Sequence, residues 1–84
     1  MTPEQERNRG DEAKRLLENP LWVEAWDAGR AALLKRMEDA AQTDVDAVMG
    51  AKAVLAGMTI ARQYLERIVK DGAMAANSIE QAGR

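Results

Sequence analysis

The 84-residue chain has no cysteine, no histidine and no phenylalanine, and only two prolines. Without cysteine there is no disulfide and no thiol nucleophile. Without histidine the usual general base near neutral pH is missing, as is the commonest metal ligand. A metal site would have to be built from carboxylates alone, and the Glu-x-x-His pattern of di-metal helical bundles does not occur. Trp22, Trp26 and Tyr64 are the only aromatics. No apolar run is long enough to cross a bilayer. The charged opening, MTPEQERNRGDE, is unlike a secretion signal. The expectation is a protein used in the compartment where it is made.

Residues that carry other chemistry are equally scarce. Neither GxxxxGK[ST] nor GxGxxG is present, which removes the common phosphate-binding loops. Thr59 and Ser78 have no neighbouring base in sequence to activate them. Glu38 and Asp39 are adjacent, so they diverge around a helix. Asp44 and Asp46 are accounted for by helix-start electrostatics. Arg9-Gly10-Asp11 spells an adhesion tripeptide, which a chain with no secretion signal contains by chance. No catalytic residue, cofactor site or metal site is assigned, and an enzyme is not expected.

Net charge is −2, too small to attract nucleic acid by field strength. Arg7, Arg9, Lys14 and Arg15 cluster near the start, but Glu4, Glu6, Asp11, Glu12 and Glu18 are mixed among them. That pattern reads as a solvated helix face, and nucleic acid is disfavoured as a partner.

What the chain does contain is helix-forming: Ala, Glu, Arg, Leu, Met, Lys and Gln dominate, and β-branched residues are never clustered as in a strand. The class is all-α, in one small domain covering residues 1–84. Thr2-Pro3-Glu4-Gln5 supplies an N-cap, a first-turn proline and a capping box, opening a short helix that ends near residue 18. Gly10 should weaken its middle, leaving a frayed first half and a docked second half. Asn19-Pro20 stops that helix and caps the next, which spans 20–42. Thr43-Asp44-Val45-Asp46 opens a third over 44–71, with Gly72 as a C-terminal glycine cap and Arg67 and Lys70 complementing the dipole. A link of one to three residues between the two long helices predicts an antiparallel hairpin. The tail, 73–84, is left as a turn or two of helix.

The third helix carries two seams. Ala47, Gly50, Val54, Gly57 and Ala61 form a small one, and Val48, Ala51, Leu55, Met58, Arg62, Leu65 and Val69 form a larger one. On the second helix, Trp22, Trp26, Gly29, Leu33 and Met37 share a stripe, and Ala25, Ala28, Gly29 and Ala32 are small. The expectation is that small seams dock inside the hairpin, where close backbones favour small residues. The larger seam would then face another copy, or within a monomer be covered by the N-terminal helix. A domain of this size draws only about 3–5 kcal/mol from a single core, so assembly into an oligomeric helical bundle is the natural remedy. The expected interface is Trp22, Trp26, Leu33, Met37, Val48, Leu55, Met58, Arg62, Leu65 and Val69. The tryptophans, four apart, read as a packing anchor; a stacking platform for a base or small ligand would want interleaved basic residues. Arg62, in an apolar seam, reads as a packed stem with its head in water, with a cross-interface ion pair as the alternative.

The order of motifs also resembles a group of small helical proteins encoded by tailed bacteriophages and prophages, mostly without assigned function. The shared positions are Gly10, Ala13, Leu16, Leu17, Asn19, Pro20, Leu21, Trp26, Gly72 and Ala75, and the likeness runs from about Arg9 to Ala76. The resemblance implies phage origin and a place in the bacterial cytoplasm or the virion. It carries over no catalytic residue. Two functions fit: a non-enzymatic helical oligomer in particle assembly or a minor virion component, or an inhibitor of a host defence system that binds a host protein or sequesters a signalling nucleotide. The expected partners are therefore a second copy and another protein, with no membrane.

Overall fold

A computed structural model describes residues 1–83; Arg84, the end of the expected tail, lies outside the described residues. It contains three helices and, among the described residues, no strand: α1 (Pro3–Glu18), α2 (Pro20–Asp39) and α3 (Val45–Ala82). The opening of α1 follows the sequence signal. The Thr2 N–H donates to Gln5 Oε1 at 2.9 Å, and the Gln5 N–H donates to Thr2 Oγ1 at 3.2 Å.

The break between α1 and α2 is a single residue. Asn19 is extended (φ −62°, ψ 122°), the conformation that a following proline imposes. Its side-chain oxygen accepts from the N–H groups of Leu21 and Trp22 at 2.9 and 3.2 Å. One asparagine thus ends one helix and caps the next.

Three expectations need correction. Helix α2 ends at Asp39, not 42, so the connection runs over 40–44 and is longer than one to three residues. Asp44 is the cap of α3, accepting from the Ala47 N–H at 3.2 Å. Second, α3 does not stop at 71: it continues through Gly72 to Ala82 as one helix of 38 residues. No glycine has positive φ, so Gly72 makes no left-handed cap. Its role is contact. A Cβ at Gly72 would come within 2.7 Å of Gly10 Cα, and one at Gly10 within 2.8 Å of Gly72 Cα. The two backbones touch because both residues lack side chains. Third, the first half of α1 is packed as well as the second: Glu6 and Arg7 are half-buried and Gly10 is buried, while Ala13 in the second half is buried as expected.

Helix α3 is nearly twice the length of α2 (38 against 20 residues), so the two are not matched arms. Glu6 and Gly10 lie against Gly72, Gly10 also against Ile68, and Leu16 shares a groove with Leu65 and Ile68. Gly29 faces Met58, and Arg36 to Ala40 lie beside Asp46 to Val54. Residue numbers therefore fall along α3 as they rise along α1 and then α2. The two shorter helices, end to end, lie along α3 from Asp46 to Gly72. At about 1.5 Å per residue, α3 alone spans about 57 Å. The molecule measures 63 × 23 × 15 Å, two helices wide and little more than one thick.

Such a shape buries little. Among the described residues, the buried apolar ones are Ala13, Leu33, Ala51 and Ala75, and no side chain is fully enclosed. The accessible surface is 6470 Å², where a compact monomer of 9.2 kDa would expose about 4,900 Å². The radius of gyration is 18.1 Å, against about 12 Å for a compact chain of this length.

Candidate interaction surface

The seams of α3 are used the opposite way from the sequence expectation. Val48, Leu55, Met58, Leu65 and Val69 are half-buried and Ala51 is buried, along the side that meets α2 and then α1. The stripe of α2 behaves likewise: Leu33 is buried, and Trp22, Trp26, Gly29 and Met37 are half-buried. Of the ten expected interface residues, the nine apolar ones are thus turned, wholly or partly, toward the chain's own helices. The physical reason is area. Burying a Leu, Met or Trp side chain removes far more apolar surface from water than burying Ala or Gly, which favours packing the larger seams inside.

The small seam is left open. Ala47, Gly50, Val54, Gly57 and Ala61 are all exposed, and a Cβ at Gly50 or Gly57 would meet nothing within 4 Å. Large residues stand uncovered around them: Val45 is 62% exposed, Met49 58%, Ile60 66% and Tyr64 56%. Between Asp46 and Arg62 the only charged residue is Lys52. A helix that is apolar on nearly all sides belongs in an interior, yet this segment contacts its own chain along one side only. Single exposed apolar residues are unremarkable, but a contiguous uncharged face marks an interaction site.

Trp22 and Trp26 are brought together by their i,i+4 spacing beside the Asn19 cap. Their rings stack at 5.4 Å between centroids, 17° from parallel. The Arg62 guanidinium carbon lies 5.5 Å from the Trp26 centroid, within cation–π range. Its Nε donates to Glu66 Oε1 at 3.1 Å, with both side chains about half exposed (47% and 53%). Arg62 thus packs over an α2 ring while about half of its side chain stays in water, as a packed stem with a solvated head would. It holds α3 against α2 through Trp26. The Arg62–Glu66 pair was legible from its spacing of four; the Trp26 contact was not, because it depends on how the two helices are phased.

A groove of about 630 Å³ lies where α2 ends beside the start of α3 and is open to solvent. Arg36, Asp39 and Asp46 rim it, and Ala47, Gly50, Ala51 and Val54 form its floor. The small residues of α3 create this space. Among the described residues, no three or more His, Cys, Asp or Glu side chains converge as a metal site would require, and no helix is long and apolar enough to cross a membrane. Comparison with protein-family models, curated proteins and solved structures gives no match.

Proposed function

We propose that the chain is a non-enzymatic protein that works by association: a long helical hairpin with one broken arm, assembled with further copies into a helical bundle. Its setting is the particle assembly of a tailed bacteriophage, as an accessory factor or minor virion component. The observation that carries the association is the uncovered, uncharged face along the first half of α3. The phage setting comes from the motif resemblance. Light scattering across a dilution series tests the first part, and a mass that stays at one chain up to high concentration would refute it. Mass spectrometry of purified particles, with deletion of the gene, tests the second. If the protein is absent from particles and assembly proceeds normally without it, the assembly role is lost.

The Trp22–Trp26–Arg62 cluster favours one alternative, an inhibitor of host defence that sequesters a signalling nucleotide. Half-buried aromatic rings beside a guanidinium are suited to stacking a base. A bound ligand raises apparent stability by mass action. A thermal-shift panel of cyclic nucleotides with no response would remove this reading.

A further inference from the structure

The exposed face of α3 lies opposite the side packed on α2, and its central line has a definite order. Steps of four and three give Asp46, Gly50, Ala53, Gly57, Ile60, Tyr64 and Arg67, all exposed. Along this line the residues run from acid, through small, to large, and end in a base. Among the described residues, neither the Asp46 nor the Arg67 side chain has an ion-pair or hydrogen-bond partner.

We propose that this face binds a second copy of the chain, with the two α3 helices antiparallel about a two-fold axis at Gly57. The inference rests on the self-association reading above and assigns its interface. About that axis Gly57 meets Gly57 of the second copy. Ala53 then falls opposite Ile60, Gly50 opposite Tyr64, and Asp46 opposite Arg67. Each large side chain is offered a small one, and each end is offered the opposite charge. A two-fold contact repeats every such pair twice, so one asymmetric sequence becomes self-complementary.

The size terms point the same way. Open space above Gly50 and Gly57 lets backbones approach, and the Ile60 and Tyr64 side chains (66% and 56% exposed) are available to fill it. A parallel pairing would set Asp46 against Asp46 and Arg67 against Arg67, and would stack Tyr64 on Tyr64 over a gap at Gly50. A partner of strong charge has nothing to engage along this line except its two ends. The area also fits one added copy. A standard interface covers about 800 Å² on each partner. That is roughly half of the surface by which this chain exceeds a compact monomer of its mass.

The chain lacks cysteine, so single introduced thiols report position without background. Gly57→Cys, Gly50→Cys and Tyr64→Cys proteins would be oxidised mildly and run on a non-reducing gel, with the mass of the parent chain followed by light scattering. A disulfide needs Cα atoms about 4.4–6.8 Å apart, which a glycine-lined crossing provides. The expected result is a covalent dimer from Gly57→Cys alone, none from Gly50→Cys or Tyr64→Cys alone, and a dimer when those two are mixed. Self-linking of Gly50→Cys without linking in the mixture would overturn the antiparallel arrangement. An associated parent chain whose three thiols never link would overturn this interface and leave self-association standing. A strictly monomeric parent would overturn both. Unchanged helical circular dichroism in each variant confirms that the comparison is made on the folded protein.

Discussion

Replacing Gly72 by alanine should destabilise the protein, although the same change usually strengthens a helix. Alanine exceeds glycine in a helix interior by about 1 kcal/mol. Against that gain stands a backbone contact. The new methyl group would lie 2.7 Å from Gly10 Cα, 3.0 Å from the Glu6 carbonyl oxygen and 3.2 Å from the Gly10 nitrogen. None of these atoms can rotate away. Ordinary carbon–carbon contact needs about 3.5–4.0 Å, so α1 and α3 must part by about 1 Å where they are closest. Overpacking of this kind costs typically 1–3 kcal/mol and occasionally more. Here the strain falls on the main contact of α1, so the upper part of that range applies. The net expectation is a loss of about 1–2 kcal/mol, or several degrees in Tm for a domain of this size. Gly29→Ala is the control. Its methyl meets only the Met58 Cε at 3.3 Å, the flexible end of a side chain. That variant should be neutral or stabilised by up to about 1 kcal/mol. Urea unfolding followed at 222 nm, at one fixed protein concentration because association shifts apparent stability, separates the two. A Gly72→Ala midpoint at or above the parent value would refute the backbone contact and with it the docking of α1.

Other outcomes follow from the same contacts. Asn19→Ala leaves the Leu21 and Trp22 N–H groups without their acceptor and should cost about 1 kcal/mol in urea unfolding. Leu33 is the largest of the buried apolar side chains, so Leu33→Ala should lose at least about 2 kcal/mol, the low end for a buried leucine because the site is near the surface. Trp26→Phe removes one half of the stacked indole pair; the paired near-ultraviolet dichroism of the tryptophans should disappear while the far-ultraviolet helix signal persists. Lys35→Ala, which breaks an exposed i,i+4 pair with Asp39, should change stability by no more than about 0.5 kcal/mol; a larger loss would show that this ion pair is not the solvated contact described.

The local signals in this chain were readable because they are short-range. Thr2, Pro3 and Gln5 form their cap within three residues, and Asn19 acts on the next two N–H groups. Helix propensity, the absence of strand patterning and the two seams of α3 likewise depend only on residue order and a repeat of 3.6. Glycine is the residue whose local signal is ambiguous. Gly72, with basic residues just before it, has the appearance of a helix end. The same residue in the middle of a helix serves to let another backbone in, and only the position of Gly10 distinguishes the two.

The sequence by itself therefore determined the helical class, the two breaks at Asn19 and Asp44, and the existence of distinct large and small faces. Tertiary structure alone decided which face turns inward. The large seam of α3 turns toward α2, whose own stripe of Trp22, Trp26, Leu33 and Met37 is buried or half-buried, and then toward α1, an arrangement that takes large apolar side chains out of water. Once it has done so, the small seam and its neighbours Met49, Ile60 and Tyr64 are left outside. Periodicity gives the angle of each residue around its own helix, but not the phase of one helix against another. That phase is set by contacts such as Gly10 with Gly72 and Trp26 with Arg62, between residues far apart in the chain.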